Sequence, residues 1–451
     1  MPILKKKSKE LAPGKTLVIG FFLIIIVGAF LLCLPFSAKN GNFTDFVDCL
    51  FTAASATCVT GISVVETYIH WSVFGQCVIM TLIQIGGLGF ISLITFFNLA
   101  IGRKLGLVKA SSVSSDVTMT GLAATKTIFM RIVLLSFAIE TVGALVLMIR
   151  FVPLYGGYGA FMAFFTAVSA FCNAGFDLMG IEGAGTGLSV FAGDPLVLIT
   201  LIFLIVIGGL GFVVWEDIIA YHRRKKLTLH TKIVLIVTAS LIVTGTLIYL
   251  VVELAEPEIF GDYSAGKMLL TSFFASVSAR TAGFCAAPLP TANAFSKLFT
   301  SILMFIGAAP GSTAGGIKVT TIAIVVTTAW SVINGRDEAQ IMKHTVSKQT
   351  VYKTLTTLFL ALMFVFVGFF ALHLLNPEWD AVDSLFEAMS AFSTTGFSTG
   401  LSEASGTASK LLLSFIMFAG RVGPASLMLM LTPKNGGGKT TILPKGEIMA
   451  G

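Results

Sequence analysis

Four glycines stand at matching places in a repeated segment: Gly61, Gly175, Gly283 and Gly396. They lie 114, 108 and 113 residues apart (175 − 61, 283 − 175 and 396 − 283). Each closes a short string that begins with Phe and carries Ser-Ala four residues later. The strings begin at Phe51, Phe165, Phe274 and Phe386. They are too short to cross a bilayer, which takes roughly 20 apolar residues. They read instead as re-entrant helices that end in glycine loops. Glycine permits backbone angles that other residues resist and leaves space beside the chain. Carbonyls held by such a loop can replace the water shell of a cation. The candidate ligands are the carbonyls of Val59, Thr60 and Gly61; of Asn173, Ala174 and Gly175; of Thr281, Ala282 and Gly283; and of Thr394, Thr395 and Gly396. One such loop alone reads as a tight turn. Four in register read as a pore, because irregular backbone survives at membrane depth only where protein buries it or water lines it.

The elements that must hold these loops are apolar helices. Stretches 17–34, 79–101 and 196–214 are long and apolar enough to span. Only 12% of the residues are charged and 55% are hydrophobic. A water-soluble domain carries about 25% charged residues, so this is the composition of a polytopic membrane protein. The fold class that follows is all-α, with four fused helix–pore helix–helix repeats, eight spanning helices and pseudo-fourfold symmetry around one central pore. The repeats are expected at 1–102, 103–222, 223–335 and 336–451. The third loop is one residue shorter than the others between its Ser-Ala and Gly283. Most of the 30 Lys and Arg gather in 5–15, 103–131, 223–232, 336–353 and 434–445. Loops biased this way stay inside. Both termini are therefore expected in the cytoplasm of a multi-pass protein of the cell membrane. The net charge of +7 then reflects topology in a lipid bilayer, not nucleic-acid binding.

A second glycine signature follows each loop: Ile85-Gly-Gly-Leu-Gly-Phe90, Ile207-Gly-Gly-Leu-Gly-Phe212, Ile306-Gly-Ala-Ala-Pro-Gly311 and Ala419-Gly-Arg-Val-Gly-Pro424. The third is the most disrupted. Gly307, Ala308, Ala309, Pro310, Gly311, Ser312, Thr313, Ala314, Gly315 and Gly316 combine a proline with several glycines, and such a run breaks a helix. A polar, flexible break below the loops suits a gate; the alternative is a static kink. It is no phosphate-binding loop, because Lys318 comes one residue late and no strand precedes it. Arg421 sits mid-helix, where a buried arginine is costly and usually functional. It either bonds the free carbonyls of the break or sets an electrostatic barrier to ions. Lys318 is expected to snorkel to the inner surface, and Glu140 to pair with a neighbouring helix. Outer acidic residues, among them Asp45, Asp48, Asp380, Asp383 and Glu387, would concentrate cations and suit the starts of pore helices. The six cysteines and five histidines form no metal or disulfide pattern. HExxH and GxSxG are absent, so an enzyme lacks support. A secondary carrier for another small solute, or a Na⁺-permeable transporter, is the alternative class. Carriers usually relate their halves by inverted topology, whereas these four units run the same way.

Four fused pore repeats with single filter glycines resemble the Trk/Ktr/HKT superfamily of K⁺ transporters. The likeness covers essentially the whole chain. It is carried by Thr52-Ala-Ala-Ser-Ala-Thr-Cys-Val-Thr-Gly61, Gln84-Ile-Gly-Gly-Leu-Gly-Phe90, Arg280-Thr-Ala-Gly-Phe284, Gly315-Gly-Ile-Lys318 and Gly420-Arg-Val-Gly-Pro424. The pattern is most like the bacterial KtrB-type membrane subunit, although Pro310-Gly311 and Gly315-Gly316 make this stretch more glycine-rich than a typical KtrB loop and closer to the TrkH pattern. The resemblance implies that Gly61, Gly175, Gly283 and Gly396 are filter glycines. It implies that 308–316 is an intramembrane gating loop faced by Arg421. It also implies K⁺ as the transported ion, Na⁺ as an activator, and no cofactor in the chain itself. The expected partners are a second copy, giving a homodimer, and a cytosolic ring of nucleotide-binding subunits, KtrA- or KtrC-like in preference to TrkA-like. The basic loops 103–126 and 222–232 are the expected docking surfaces. In plant relatives a serine at the first filter position goes with Na⁺ transport. Replacing Gly61 with Ser is therefore expected to loosen K⁺/Na⁺ discrimination in a competition uptake assay, and unchanged discrimination would count against this filter.

Overall fold

A computed structural model of the chain describes residues 13–100, 122–255, 263–286, 292–336 and 338–424. The expectations placed on 1–12, 103–121 and 434–445 lie outside these residues. Apolar sequence in lipid must satisfy its own backbone, and the described chain is almost entirely helical. The first repeat holds α1 (Pro13–Cys33), α2 (Phe46–Cys58), α3 (Thr67–His70) and α4 (Val73–Ala100). The second holds α5 (Leu122–Cys172), α6 (Pro195–Leu210) and α7 (Phe212–Arg224). The third holds α8 (Leu229–Ala255), α9 (Ala265–Ser278), α10 (Ala294–Phe305) and α11 (Val319–Ile333). A two-stranded hairpin, β1 (Gln340–Ile341) and β2 (His344–Thr345), leads into the fourth. That repeat holds α12 (Lys348–Leu375), α13 (Ala381–Ser393), α14 (Leu401–Ala404) and α15 (Thr407–Val422).

Helix α5 is two helices in one. Pro153 lies inside it, and Gly156 takes a non-helical conformation (φ 61°, ψ −143°). Proline removes a helical hydrogen bond, so the chain turns there from a long outer helix into a pore helix. Among the described residues, Met130–Cys172, Leu229–Val252 and Lys348–Leu375 are long and apolar enough to cross a membrane. The pair α6 and α7 meets the test together but bends by 95°. Shorter apolar helices include Val18–Cys33, Val73–Gly89, Ala294–Phe305 and Val319–Ile333.

The helix after the loop is interrupted in the first three repeats, not in the third alone, and in the fourth it ends at the second signature. Gly89 leaves the helical region inside α4 (φ 76°, ψ 179°). Gly211 separates α6 from α7 (φ 88°, ψ 146°), and Gly423 ends α15 (φ 88°, ψ 133°). These are the last glycines of the second signature; the last glycine of the third, Gly311 (φ 69°), comes one residue later in register, after Pro310. The apolar pattern runs unbroken across the first two, which is why the sequence there reads as one continuous span. In the third repeat the break widens to the whole segment between α10 and α11.

Each repeated phenylalanine is an anchor. Phe51, Phe165, Phe274 and Phe386 are all buried. Lipid tails are as apolar as a protein core, so the gain here is close packing and not escape from water. The first glycine of the second signature is packed against a pore-helix end. A Cβ added to Gly86, Gly208 or Gly420 would run into the carbonyl of Thr57, Phe171 or Phe392. Two ion pairs close the seams between repeats. Lys297 on α10 meets Asp383 on α13 at 2.6 Å, and Lys410 on α15 meets Asp48 on α2 at 2.6 Å. The two lysines share one register, ten residues before Gly307 and Gly420. In the first repeat that register holds Gln76, which accepts a hydrogen bond from Tyr158 at 2.8 Å.

Gly420→Ala should overpack its contact with Phe392 by about 1–3 kcal/mol. The expected result is a lower unfolding temperature in detergent and less folded protein. Gly406→Ala is the control. Gly406 has ordinary dihedrals (φ −72°, ψ 171°) and open space around it, so its variant should unfold like the parent.

Candidate functional site

Each pore helix ends in an unusual turn. Val59, Asn173, Thr281 and Thr394 take the left-handed conformation, with φ of 59°, 59°, 67° and 52°. Three of the four are β-branched, for which this region costs roughly 1–2 kcal/mol per residue. The glycine two residues on is also left-handed in all four, with φ of 91°, 71°, 74° and 102°. Such strain persists only where the surroundings hold it. Here the holders are pore-helix carbonyls. Thr60 N donates to Ser55 O at 2.8 Å, Ala174 N to Ser169 O at 2.8 Å, and Thr395 N to Ser390 O at 2.9 Å. In the third repeat both Ala282 N (2.9 Å) and Gly283 N (3.2 Å) donate to Ser278 O.

The repeated serines therefore do work that their spacing alone did not reveal. Ser55 Oγ accepts from Gly61 N and Ser390 Oγ from Gly396 N, each at 3.1 Å. Ser278 turns its hydroxyl the other way and donates to Phe284 O at 2.7 Å. That reversal goes with the shorter third loop, where Gly283 N has already found the serine carbonyl. With their N–H groups turned back on the helices, the loops present their carbonyls elsewhere. Among the described residues none of the carbonyls of Thr60, Ala174, Ala282 and Thr395 accepts a hydrogen bond.

Those four carbonyls and the four glycines form a closed cycle. A Cβ on Gly61 would strike Ala174 O, and one on Gly175 would lie 2.8 Å from Ala282 O. A Cβ on Gly283 would strike Thr395 O, and one on Gly396 would strike Thr60 O. The order is first to second to third to fourth and back to first. No side chain fits at any of the four contacts. The C-terminal ends of four helices also converge here, and the partial negative charge at a helix C-terminus favours a cation.

Below this ring the segment between α10 and α11 crosses to its neighbours. Ala309 N donates to Gly209 O at 3.0 Å, and Phe212 N to Gly311 O at 3.0 Å. Thr313 Oγ1 donates to Phe171 O at 3.2 Å and reaches Asn173 Oδ1 at 3.4 Å. Gly315 and Gly316 lie against Thr394 and Ser393. Arg421 donates to the carbonyls of Thr313 and of Gly86, so it joins the break to the first repeat. Lys318 does not snorkel. Its Nζ folds back onto Ala314 O at 2.7 Å and Gly315 O at 3.1 Å, because broken-helix carbonyls are closer partners than water. Arg280 adds a contact that the sequence did not suggest, from its guanidinium to Gly307 O at 3.4 Å.

This arrangement has known counterparts. The TrkH family, described as cation transport protein, matches residues 16–435. The chain belongs to that family. It is 37% identical to Ktr system potassium uptake protein B of Bacillus subtilis, across 99% of this chain and 98% of that one. It is 36% identical to the potassium/sodium uptake protein NtpJ of Enterococcus hirae, across 96% of each. The potassium transporter TrkH of Vibrio parahaemolyticus has the same fold, with a TM-score of 0.72, 16% identity, and coverage of 96% and 87% of the two chains. The chain is thus a multi-pass transport protein of the TrkH family and not an enzyme.

In the loops and helix starts around this ring of the TrkH-family chain the acidic residues divide. Asp48 and Asp383 are held in ion pairs, so they offer little net charge to a passing cation. Glu387 accepts from Thr399 N at 2.9 Å and braces the strand beyond the fourth loop. Glu66, Asp177 and Glu403 lie in the loops past the ring. Burial pushes Glu66 up to about 7, with the charges of Asp177 and Glu403 adding to it. Burial also raises Asp177 to about 6, against a hydrogen bond from Met179 N, and it raises Glu403. These carboxyls lose charge as external pH falls through 7 and 6. The apparent KM for the transported cation should therefore rise as external pH drops from about 8 to about 5. Glu66→Gln should flatten the upper part of that profile, as read by uptake kinetics at fixed internal pH.

Proposed function

We propose that this chain takes up K⁺ across the plasma membrane through a filter of backbone carbonyls. The observation that carries this reading is the closed cycle of four glycines, each against the carbonyl of the next repeat. Carbonyls without hydrogen bonds, convergent helix ends and close backbone approach are what a dehydrated cation needs. Its relatives from Bacillus and Enterococcus are a potassium uptake protein and a potassium/sodium uptake protein. In this reading K⁺ binds at residues 59–61, 173–175, 281–283 and 394–396, around one pseudo-fourfold axis. Eight spans are grouped in the repeats 1–102, 103–222, 223–335 and 336–451, with both termini cytoplasmic. Na⁺ acts as an activator.

Residues 307–316 form the gate, held shut by Arg421 and by the turned-in Lys318. Support comes from the bonds that this segment makes to the second and fourth repeats and, through Arg421, to the first. Flux is controlled by a cytosolic ring of nucleotide-binding subunits on a homodimer. The 222–232 docking surface borders a cavity of about 620 Å³ between the α7–α8 turn and the β1–β2 hairpin. Lys225, Lys226, Lys232 and His344 line it, and no carboxylate does.

Expression in bacteria stripped of their own K⁺ uptake, together with a regulatory subunit, should restore growth at low K⁺ and give Rb⁺ uptake. Absence of rescue despite normal membrane levels would sink the reading. A secondary carrier would show no Rb⁺ flux, and a Na⁺-permeable transporter would show Na⁺ flux equal to it. Deleting residues within 311–316 should raise basal flux at least about tenfold, the effect of about 1.4 kcal/mol removed from closure. Unchanged flux at normal levels would return the segment to a static kink.

A further inference from the structure

Glu140 on α5 is completely buried. No lysine, arginine or histidine pairs with it among the described residues. A carboxyl group at membrane depth without a counter-charge is expensive and calls for a functional account. Its partner is Gln84 on α4, whose Nε2 donates to Oε1 at 2.9 Å and to Oε2 at 3.2 Å. The other end of the same amide is also in use. Gln84 Oε1 accepts the thiol hydrogen of Cys172 at 3.7 Å. A flipped amide would set oxygen against oxygen at Glu140 and lose both bonds, so the carboxyl group fixes which way the amide points.

Cys172 directly precedes Asn173, the left-handed residue that opens the second loop of the ring. Its sulfur lies flush against α4, because a Cβ on Gly87 would come within 2.5 Å of it. From the other side Thr313 of the broken segment holds Phe171 and Asn173. The second loop is thus fastened between two polar contacts. Among the described residues no such brace stands at the matching place in the other repeats. The register of Gln84, two residues before the first signature glycine, holds Val206, Phe305 and Phe418 elsewhere.

We propose that Glu140 is a positioning residue for ion selection, acting through Gln84 and Cys172 to set the height of the second filter strand. This rests on residues 173–175 being a filter strand. The charge of Glu140 is not needed for the role, only an acceptor facing the amide of Gln84.

The test is competition between Rb⁺ and Na⁺ uptake by the full chain in K⁺-uptake-deficient cells, with membrane levels measured alongside. Glu140→Ala should lower Rb⁺ preference roughly fivefold to tenfold, about the effect of one buried hydrogen bond. Glu140→Gln should keep it within about twofold, and so should the exchanged pair Glu140→Gln with Gln84→Glu. Cys172→Ala should shift preference in the same direction as Glu140→Ala, and the double variant should be no worse than the stronger single one. Additive losses, or wild-type preference in Cys172→Ala, would overturn the proposal. If Glu140→Ala fails to reach the membrane, Cys172→Ala and the exchanged pair decide by the same criteria. Gly175→Ser is run in parallel. If it leaves preference unchanged, the filter reading itself is at fault; if it shifts preference while Cys172→Ala does not, only the role of Glu140 falls.

Discussion

Everything in this molecule depends on where a few backbone N–H groups go. At membrane depth no water is available to satisfy them. Each loop answers this by folding the N–H just before its glycine back onto a serine carbonyl one turn earlier. The price is a left-handed residue at Val59, Asn173, Thr281 and Thr394. The consequence is a set of carbonyls with no hydrogen-bond partner among the described residues, where four loops meet. The buried phenylalanines and the signature glycines serve this arrangement. The first fix the pore helices in depth, and the second let the following helices lie flat against their ends.

The same rule of accounting explains the segment between α10 and α11. Breaking a helix releases carbonyls, and here they are claimed by charged side chains. Arg421, Arg280 and Lys318 all donate to backbone oxygens of the break. Positive charge is therefore gathered directly below a ring of partial negative charge. Under the proposed filter, a cation leaving the ring would meet the guanidinium of Arg421. The structural tie read for Arg421 from sequence is the one its bonds to Thr313 and Gly86 make.

Much of this was legible in the chain itself. The four strings, their glycines and the disrupted third signature are local patterns of residue type and spacing, and the structure builds elements directly on them. The bends at Gly89 and Gly211 were hidden, because an apolar run looks continuous across a glycine. The pairing of Asp48 with Lys410 joins residues 362 positions apart. From sequence Asp48 and Asp383 read as free charges at a pore mouth, and only the topology that packs the fourth repeat on the first and the third on the fourth pairs them. The turned-in Lys318 was missed for a related reason: its partners exist only because the helix beside it is broken.

The cycle of glycine contacts has an architectural consequence. Each loop leans on the next, and the loop of Gly396 leans on the first, made near the beginning of synthesis. Such closure is entirely non-local in sequence. Three repeats in a membrane form an open arc with two unmatched edges, and an arc encloses nothing. The cycle of contacts closes only when the last quarter of the chain arrives and joins both edges at once. If that cycle is the proposed filter, a membrane that must hold its ion gradients while proteins are threaded into it is spared a half-made leak.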